Sequence, residues 1–266
     1  MNNDSSADSS NSSTNSSASS AFGLFGLTML PEIGSVHFKP EMDSTNTEAL
    51  EIGKVAPDEW PILILTENQT AGRGRDDNQW KSGQGSLTFT LALNRKSGPE
   101  ISPTLLSIAA GLSVHDALLE LAGNVPVKLK WPNDVFVGEK KIAGVLIESN
   151  KKVTLVGIGI NVNTPDLPKS ATNLSGEAKA EFDLQSVLIT VITNFFRVLK
   201  LAQSSPNDLV QSCQSKMLHF QKTISIFTDN QTVTGINTGL GESGELLVQS
   251  ETSELKIVSG KNLKLL

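Results

Sequence analysis

Gln69-Thr70-Ala71-Gly72-Arg73-Gly74-Arg75-Asp76-Asp77-Asn78-Gln79-Trp80 is a polar stretch set between apolar runs, and a second polar turn, Lys130-Trp131-Pro132-Asn133-Asp134, follows further along the chain. Gly72 and Gly74 carry no Cβ, so the backbone can pass close to a ligand there, while Arg73 and Arg75 offer planar donors that match carboxylate or phosphate oxygens. Two readings stand for the stretch alone: a loop that holds an anion, or a surface turn whose arginines are solvated. Its setting favours the first. The loop leaves one strand and enters another, so its ends are anchored and its middle is free to close over a charged ligand.

Outward from this loop, short β-like runs rich in Val, Ile and Leu occur at 61–66, 86–93, 127–131, 142–148 and 153–162. Apolar residues at helical spacing mark 104–121, through Leu105, Ile108, Leu112 and Leu118, and 184–201, through Leu188, Val191, Phe195 and Val198. A shorter helix is expected from about Ser44, where Thr45-Asn46-Thr47-Glu48 fits a capping box with Glu48 reaching back to the cap amide. Ser204-Ser205-Pro206 ends the long helix, and a short helical piece is expected at 210–217. Beyond it, short runs at 223–227, 232–236, 245–248 and 254–258, separated by polar turns, predict a small β-barrel. The expected division is a disordered Ser/Asn-rich tail over 1–30, a mixed α+β domain over 31–217 and the barrel over 218–266.

Composition narrows the function classes. With 266 residues, 38% of them hydrophobic, the chain can build a large core. Lys and Arg total 22 against 28 Asp and Glu, a formal net charge of -6, so no global footprint for DNA or RNA exists. Cys213 is the single cysteine, which leaves no internal disulfide and too few thiols for a zinc cluster, and fits the reducing cytoplasm. No apolar run approaches the ~20 residues of a membrane span, and no Lys or Arg precedes the apolar stretch 21–30 as a signal peptide requires. His37, His115 and His219 are scattered, without metal-ligand spacing. Cys213 has no nearby His in sequence and reads as an inert thiol.

Candidate chemistry therefore rests on arginine, lysine and backbone amides. Lys128 and Lys130 share one face of an alternating strand, and Lys140-Lys141 opens the next apolar run, so a hairpin can bring Lys130 and Lys141 to one ligand. Trp131 can equally fill the core, and Pro-Asn-Asp is ordinary turn chemistry. In Gly157-Ile158-Gly159-Ile160-Asn161 one strand face has no side chains, which admits a ligand or a close-packed backbone. It is not a dinucleotide fingerprint, because no helix-opening G-x-G-x-x-G follows a strand, and a Walker A sequence is absent.

Asp43-Ser44-Thr45-Asn46, the Gln69–Arg75 loop, Lys130-Trp131-Pro132-Asn133-Asp134, Lys141-Ile142-Ala143-Gly144 and Gly157-Ile158-Gly159-Ile160-Asn161, in that order, resemble the motifs of biotin protein ligases. The resemblance runs from about Ile33 to the C-terminus and implies an α+β catalytic domain followed by an SH3-like barrel. It implies a two-step ligase whose substrates are ATP and biotin, with Mg2+: biotin is activated as biotinyl-5′-AMP and then passed to a lysine of a biotin carboxyl carrier protein, expected to be the acetyl-CoA carboxylase carrier. On the family pattern, Ser44, Thr45, Asn46 and Gln69 line the biotin end. Arg73, Gly74, Arg75, Lys141 and Gly144 meet its carboxylate side, and Arg73, Arg75, Trp80, Lys130, Asn133, Asp134 and Asn161 serve the nucleotide. Arg75, Lys130 and Lys141 are the catalytic candidates, and metal ligands are left unassigned. Family members include homodimers and monomers, and a homodimer is compatible with this chain.

Two departures stand out. Asp76 and Asp77 follow the arginines where the family is glycine-rich or basic; an Asp ~4 Å from a phosphate costs about 1 kcal/mol in water and about 4 kcal/mol at an effective dielectric of 20. Both are expected to turn away or to meet Mg2+. Ahead of the domain lie only about thirty mostly low-complexity residues, so the DNA-binding segment of bifunctional members is not expected. The rival readings are a lipoate or octanoate ligase of the same fold, whose Arg-Arg-x-Ser-Gly-Gly-Gly-type loop is not found, and a biotin-sensing regulator without catalysis.

Overall fold

A computed structural model describes residues 30–55, 60–76, 78–95 and 101–266. The apolar runs ahead of residue 162 pair into one seven-stranded sheet: β1 (Ser35–Met42), β2 (Ile62–Gln69), β3 (Ser86–Asn94), β4 (Val127–Lys130), β5 (Asp134–Val137), β6 (Lys140–Ser149) and β7 (Val153–Asn161), in the order β1-β2-β3-β7-β6-β5-β4. β1 lies parallel to β2 and every other neighbour is antiparallel, so the sheet is mixed. β3 and β7 sit near the middle with almost every side chain buried. Covering on both faces is why these segments read as continuous apolar runs rather than alternating ones.

Helices α2 (Pro103–Leu121) and α4 (Leu184–Ser204) pack together and cover one face, burying Phe89, Leu91, Leu112 and Phe195 in the main core. Truncating a fully buried aromatic such as Phe89 to alanine costs about 3–5 kcal/mol. Helix α1 (Thr45–Val55) covers the opposite face, over Ile62, Ile64, Ala92 and Leu155. By length and mean hydropathy α2 and α4 do match a membrane span, contrary to the sequence expectation, but 13 residues of α2 and nine of α4 are buried inside the protein. Leu30 packs into the core, whereas the rest of the expected tail lies outside the described residues.

Local chemistry sets the helix starts and corrects two expectations. Ser102 accepts the Leu105 amide at 3.1 Å and Pro103 occupies the first turn of α2, where its missing N–H is harmless. Glu48 does not close a capping box: the Glu48 amide donates to Ser44 O, which makes Ser44 the cap residue, and the Glu48 carboxylate pairs with Lys39. Pro206 does not merely end α4. It starts α5 (Pro206–Gln214), four residues ahead of the expected piece, for the same reason that Pro103 starts α2. A short α3 (Leu174–Ala178), capped by Asn173, was not legible.

The C-terminal portion forms a five-stranded antiparallel sheet from β8 (Thr223–Thr228), β9 (Gln231–Leu240), β10 (Leu246–Gln249), β11 (Glu254–Ile257) and β12 (Lys261–Leu265), ordered β11-β10-β9-β8-β12. Asp229 and Asn230 both take positive φ, 47° and 62°, in the β8–β9 turn, the conformation that a two-residue hairpin needs. The turn at 243–244 locks this sheet to the larger one. Trp131 Nε1 donates to Gly244 O at 2.9 Å, and Ser102 Oγ donates to Ser243 O at 2.6 Å. Gly244 has φ +86° and a Cβ there would meet Leu105 Cα at 2.9 Å, so only glycine fits.

Candidate active site

A cavity of about 510 Å³ opens where the seven-stranded sheet meets the smaller one. Ser44, Thr45 and Asn46 reach it from the start of α1, and Gln69 from the end of β2. Both elements are pinned together: the Thr45 amide donates to Gln69 Oε1 at 2.8 Å, with the Thr45 hydroxyl 3.2 Å from the same oxygen. Ser44, Thr45 and Asn46 are each buried, so this end is a preformed, uncharged polar wall.

Thr90 on β3 organises that wall, although no motif in the sequence marks it. Its hydroxyl donates to Asn46 Oδ1 at 2.6 Å and lies 2.8 Å from Thr45 Oγ1. Asn46 Nδ2 donates in turn to Glu148 Oε2 on β6 at 2.7 Å. The side-chain-free face of β7 receives neither an empty space nor a backbone. A Cβ on Gly157 would stand 2.5 Å from Asn46 Oδ1, and one on Gly159 would run into the Trp80 indole. The glycines therefore seat two of the candidate site residues, and Trp80 Nε1 also bonds Thr88 Oγ1 at 3.3 Å.

Cations gather at the other end. Lys130 closes β4 and Lys141 is the second residue of β6; both line the cavity, but not across one hairpin as expected, because β5 lies between their strands and pairs with each. Lys141 Nζ ion-pairs with Asp134 Oδ1 at 2.6 Å and lies 5.9 Å from the centre of the Trp80 ring. Lys130 stacks over Phe136 at 4.7 Å. Burial, helped by the nearby Lys141 and Lys264 charges and opposed by Asp134 and Glu139, holds the Lys130 pKa below the ordinary lysine value. Asn133 lines the cavity with its amide tied to Val145 O at 2.7 Å, and the Trp131–Pro132 peptide beside it is cis.

Arg73, Gly74, Arg75, Asp76 and Trp80 bring the flap loop to the cavity rim. The flap is closed on itself by Gly74 N–H to Asn78 O at 2.7 Å and Trp80 N–H to Gly72 O at 3.0 Å. Arg75 reaches across to Ser259 Oγ at 3.4 Å, whereas the Arg73 guanidinium turns to Glu148 and Thr47. Asp76 sits at the rim, exposed and with φ 51°, and Asp77 lies outside the described residues. Asn161 is not brought to the cavity. Its amide donates to Thr172 O at 3.1 Å, and Thr172 N–H donates to Lys141 O, so it stands behind the Lys141 strand.

A further wall comes from the second sheet: Gly260, Lys261, Asn262, Leu263 and Lys264 line the cavity. The segment belongs to none of the motifs, and its signal in the sequence is two lysines flanking Asn262 and Leu263 beside a glycine. Among the described residues no group of three or more His, Cys, Asp or Glu side chains is placed to hold a metal ion.

The arrangement has relatives. The model of the Biotin/lipoate A/B protein ligase family matches residues 39–164. The structure is similar to that of a biotin protein ligase from Aquifex aeolicus in complex with biotin and ATP, with a TM-score of 0.78 and 34% identity over 87% of this chain and 99% of that one. In sequence it is 37% identical over 131 residues to a Biotin--[acetyl-CoA-carboxylase] ligase of Paracoccus denitrificans, covering 47% of this chain and about half, 53%, of that protein's length. It is 27% identical over 210 residues to the like-named ligase of Mycobacterium tuberculosis, covering 76% of this chain and 79% of that protein. A polar pocket faced by a lysine pair and closed by a Gly-Arg-Gly-Arg flap, on a fold shared with the Aquifex enzyme over nearly its whole length, places this chain in the biotin protein ligase family.

Proposed function

We propose that the protein activates biotin with ATP and transfers it to a lysine of a biotin carboxyl carrier protein. A biotin carboxylate oxygen attacks the α-phosphorus of ATP, the bond to the β-phosphate oxygen breaks and pyrophosphate leaves. In the second step a deprotonated lysine amine attacks the acyl carbon of biotinyl-5′-AMP and AMP leaves. The observation that carries this reading is a single cavity with a neutral polar end, Ser44 to Asn46 with Gln69, and a cationic end, Lys130 and Lys141 with Arg75 at the rim. The ureido ring of biotin is uncharged and suits the first; two anions must be joined at the second, where fixed positive groups offset their repulsion and the charge that develops at phosphorus.

In this mechanism Lys141 holds the biotin carboxylate and then the acyl phosphate, and Arg75 and Lys130 hold phosphate oxygens. Trp80 packs against the adenine side, with Asn133 and Asp134 beside the phosphates. Gly74 lets the flap fold tightly against Asn78, Gly144 leaves room for the Lys141 side chain beside the biotin carboxylate, and Asn161 acts behind Lys141. Mg2+ would be held beside the phosphates by the carboxylate of Asp134 or Asp76, and would offset phosphate charge there. Acetyl-CoA carboxylase is the carrier that the relatives' names favour, the cytoplasm is the compartment that one buried thiol favours, and 31–217 and 218–266 are the domain limits.

Intact-mass measurement of a carrier domain incubated with the protein, ATP, Mg2+ and biotin tests the proposal. A gain of one biotinyl group is expected. An unmodified carrier, or lipoate outcompeting biotin in ATP–pyrophosphate exchange, sinks it.

A further inference from the structure

The flap and α1 converge on one carboxylate of β6 at the edge of the cavity. Arg73, from the flap, donates through Nη1 to Thr47 Oγ1 at 2.7 Å and through Nη2 to Glu148 Oε2 and Oε1 at 3.0 and 3.2 Å. Glu148 Oε2 also accepts from Asn46 Nδ2 at 2.7 Å, and Asn46 Oδ1 accepts from Thr90. Glu148 can only accept and the amide oxygen can only accept, so the Asn46 amide has one permitted orientation. No motif pointed to Glu148: it lies 102 residues from Asn46 and 75 from Arg73 along the chain.

We propose that Glu148 is a positioning residue on which the flap docks through Arg73 and which at the same time fixes the Asn46 amide, so that flap closure and order at the uncharged end of the cavity are one event. The inference rests on the adenylate-forming reading for its catalytic consequence. A carboxylate suits the position because its two oxygens accept from Arg73 Nη2 while one of them also accepts the Asn46 N–H, whereas an amide offers a single acceptor oxygen. It leaves Arg75, Lys130 and Lys141 as the cations that face the reacting anions. Thr47 completes the dock: with its hydroxyl on Nη1, the guanidinium is held at two points and cannot swing about the Glu148 contact alone.

Glu148→Gln and Arg73→Gln test it by two readouts, amide hydrogen exchange of residues 72–80 in the unliganded protein and the release rate of biotinyl-5′-AMP. Each variant is expected to speed both by about three- to five-fold, as befits a half-exposed pair, and the double variant no further than either single. Glu148→Ala, which removes the acceptor from Asn46 as well, raises the biotin KM above that of Glu148→Gln, which keeps a carbonyl. Thr47→Ser, which keeps the hydroxyl, exchanges like the parent. Unchanged exchange in the single variants, additive effects in the double, or equal biotin KM in Glu148→Gln and Glu148→Ala overturns the proposal and leaves Glu148 a surface ion pair. If the parent protein forms no adenylate, the proposed function fails instead, and the exchange readout still reports on the dock.

Discussion

Lys141 Nζ stands 2.6 Å from Asp134 Oδ1, and the room for that pair is the missing side chain of Gly144. A Cβ on Gly144 would lie 2.9 Å from Lys141 Nζ, 3.0 Å from its Cε and 3.4 Å from Asp134 Oδ1. The glycine of the Lys-Ile-Ala-Gly motif thus serves the lysine three residues before it.

Gly144→Ala is expected to push the Lys141 ammonium aside without unfolding the protein, since the atoms in the way end a flexible side chain. Biotin-dependent ATP–pyrophosphate exchange should fall about ten-fold while stability changes by less than about 1 kcal/mol. Loss of folding, or full exchange activity with a folded protein, would refute this role for the glycine.

Thr90→Val removes the donor to Asn46 Oδ1 and the neighbour of Thr45 Oγ1, leaving buried acceptors without a partner at a cost of about 1–3 kcal/mol. The biotin KM should rise about ten-fold, with ATP affinity nearly unchanged. Equal shifts for both substrates in steady-state kinetics would place Thr90 in the general core rather than at the biotin end.

Lys130 gives a pH signature. Its folded pKa is held below the ordinary lysine value of 10.5 by burial, so between the two values the unfolded chain binds more protons and stability rises with pH. Below the folded pKa the buried charge weakens the fold by a constant amount. Lys130→Met, which removes the charge, should therefore melt above the parent near neutral pH, with the gap closing as pH climbs toward 10.5, and should lose adenylation throughout. A gap that widens with pH would reverse the argument.

Cys213 is fully buried, and burial raises its thiol from 9.0 to about 12. The folded state keeps the proton through the range in which the unfolded thiol ionises, so this group's stabilising contribution is complete below pH 9 and is lost as pH rises from there towards 12. Alkylation at pH 8.5 should be negligible in the native protein and prompt in denaturant. Fast native labelling by mass spectrometry would count against this packing.

How much of this was legible depended on what kind of interaction made each part. The central strands announced themselves because β3 and β7 are buried on both faces and so carry unbroken apolar runs. β1, with Lys39-Pro40-Glu41, and β12, with its two lysines, gave no such sign: both are edge strands with exposed side chains, and edges tolerate proline and charge. The helix start at Ser44 was found, but its cap was misplaced by one residue because Lys39, on a different element, claims Glu48. Lys130 and Lys141 could be brought together in advance because they lie close in the chain, although the expected hairpin is interrupted by β5, which pairs with both of their strands. Thr90 and Glu148 could not, because their partners at the cavity lie on other elements, 44 to 102 residues away along the chain.

The segment from Gly260 to Lys264 closes the cavity, yet it follows every strand of the larger sheet in chain order. During synthesis from the N-terminus, the seven-stranded sheet has left the ribosome before this last wall exists. A nascent or truncated chain thus presents an open basin in which a mixed anhydride would meet water. Docking of β12 is thus what would shield the proposed adenylate from water.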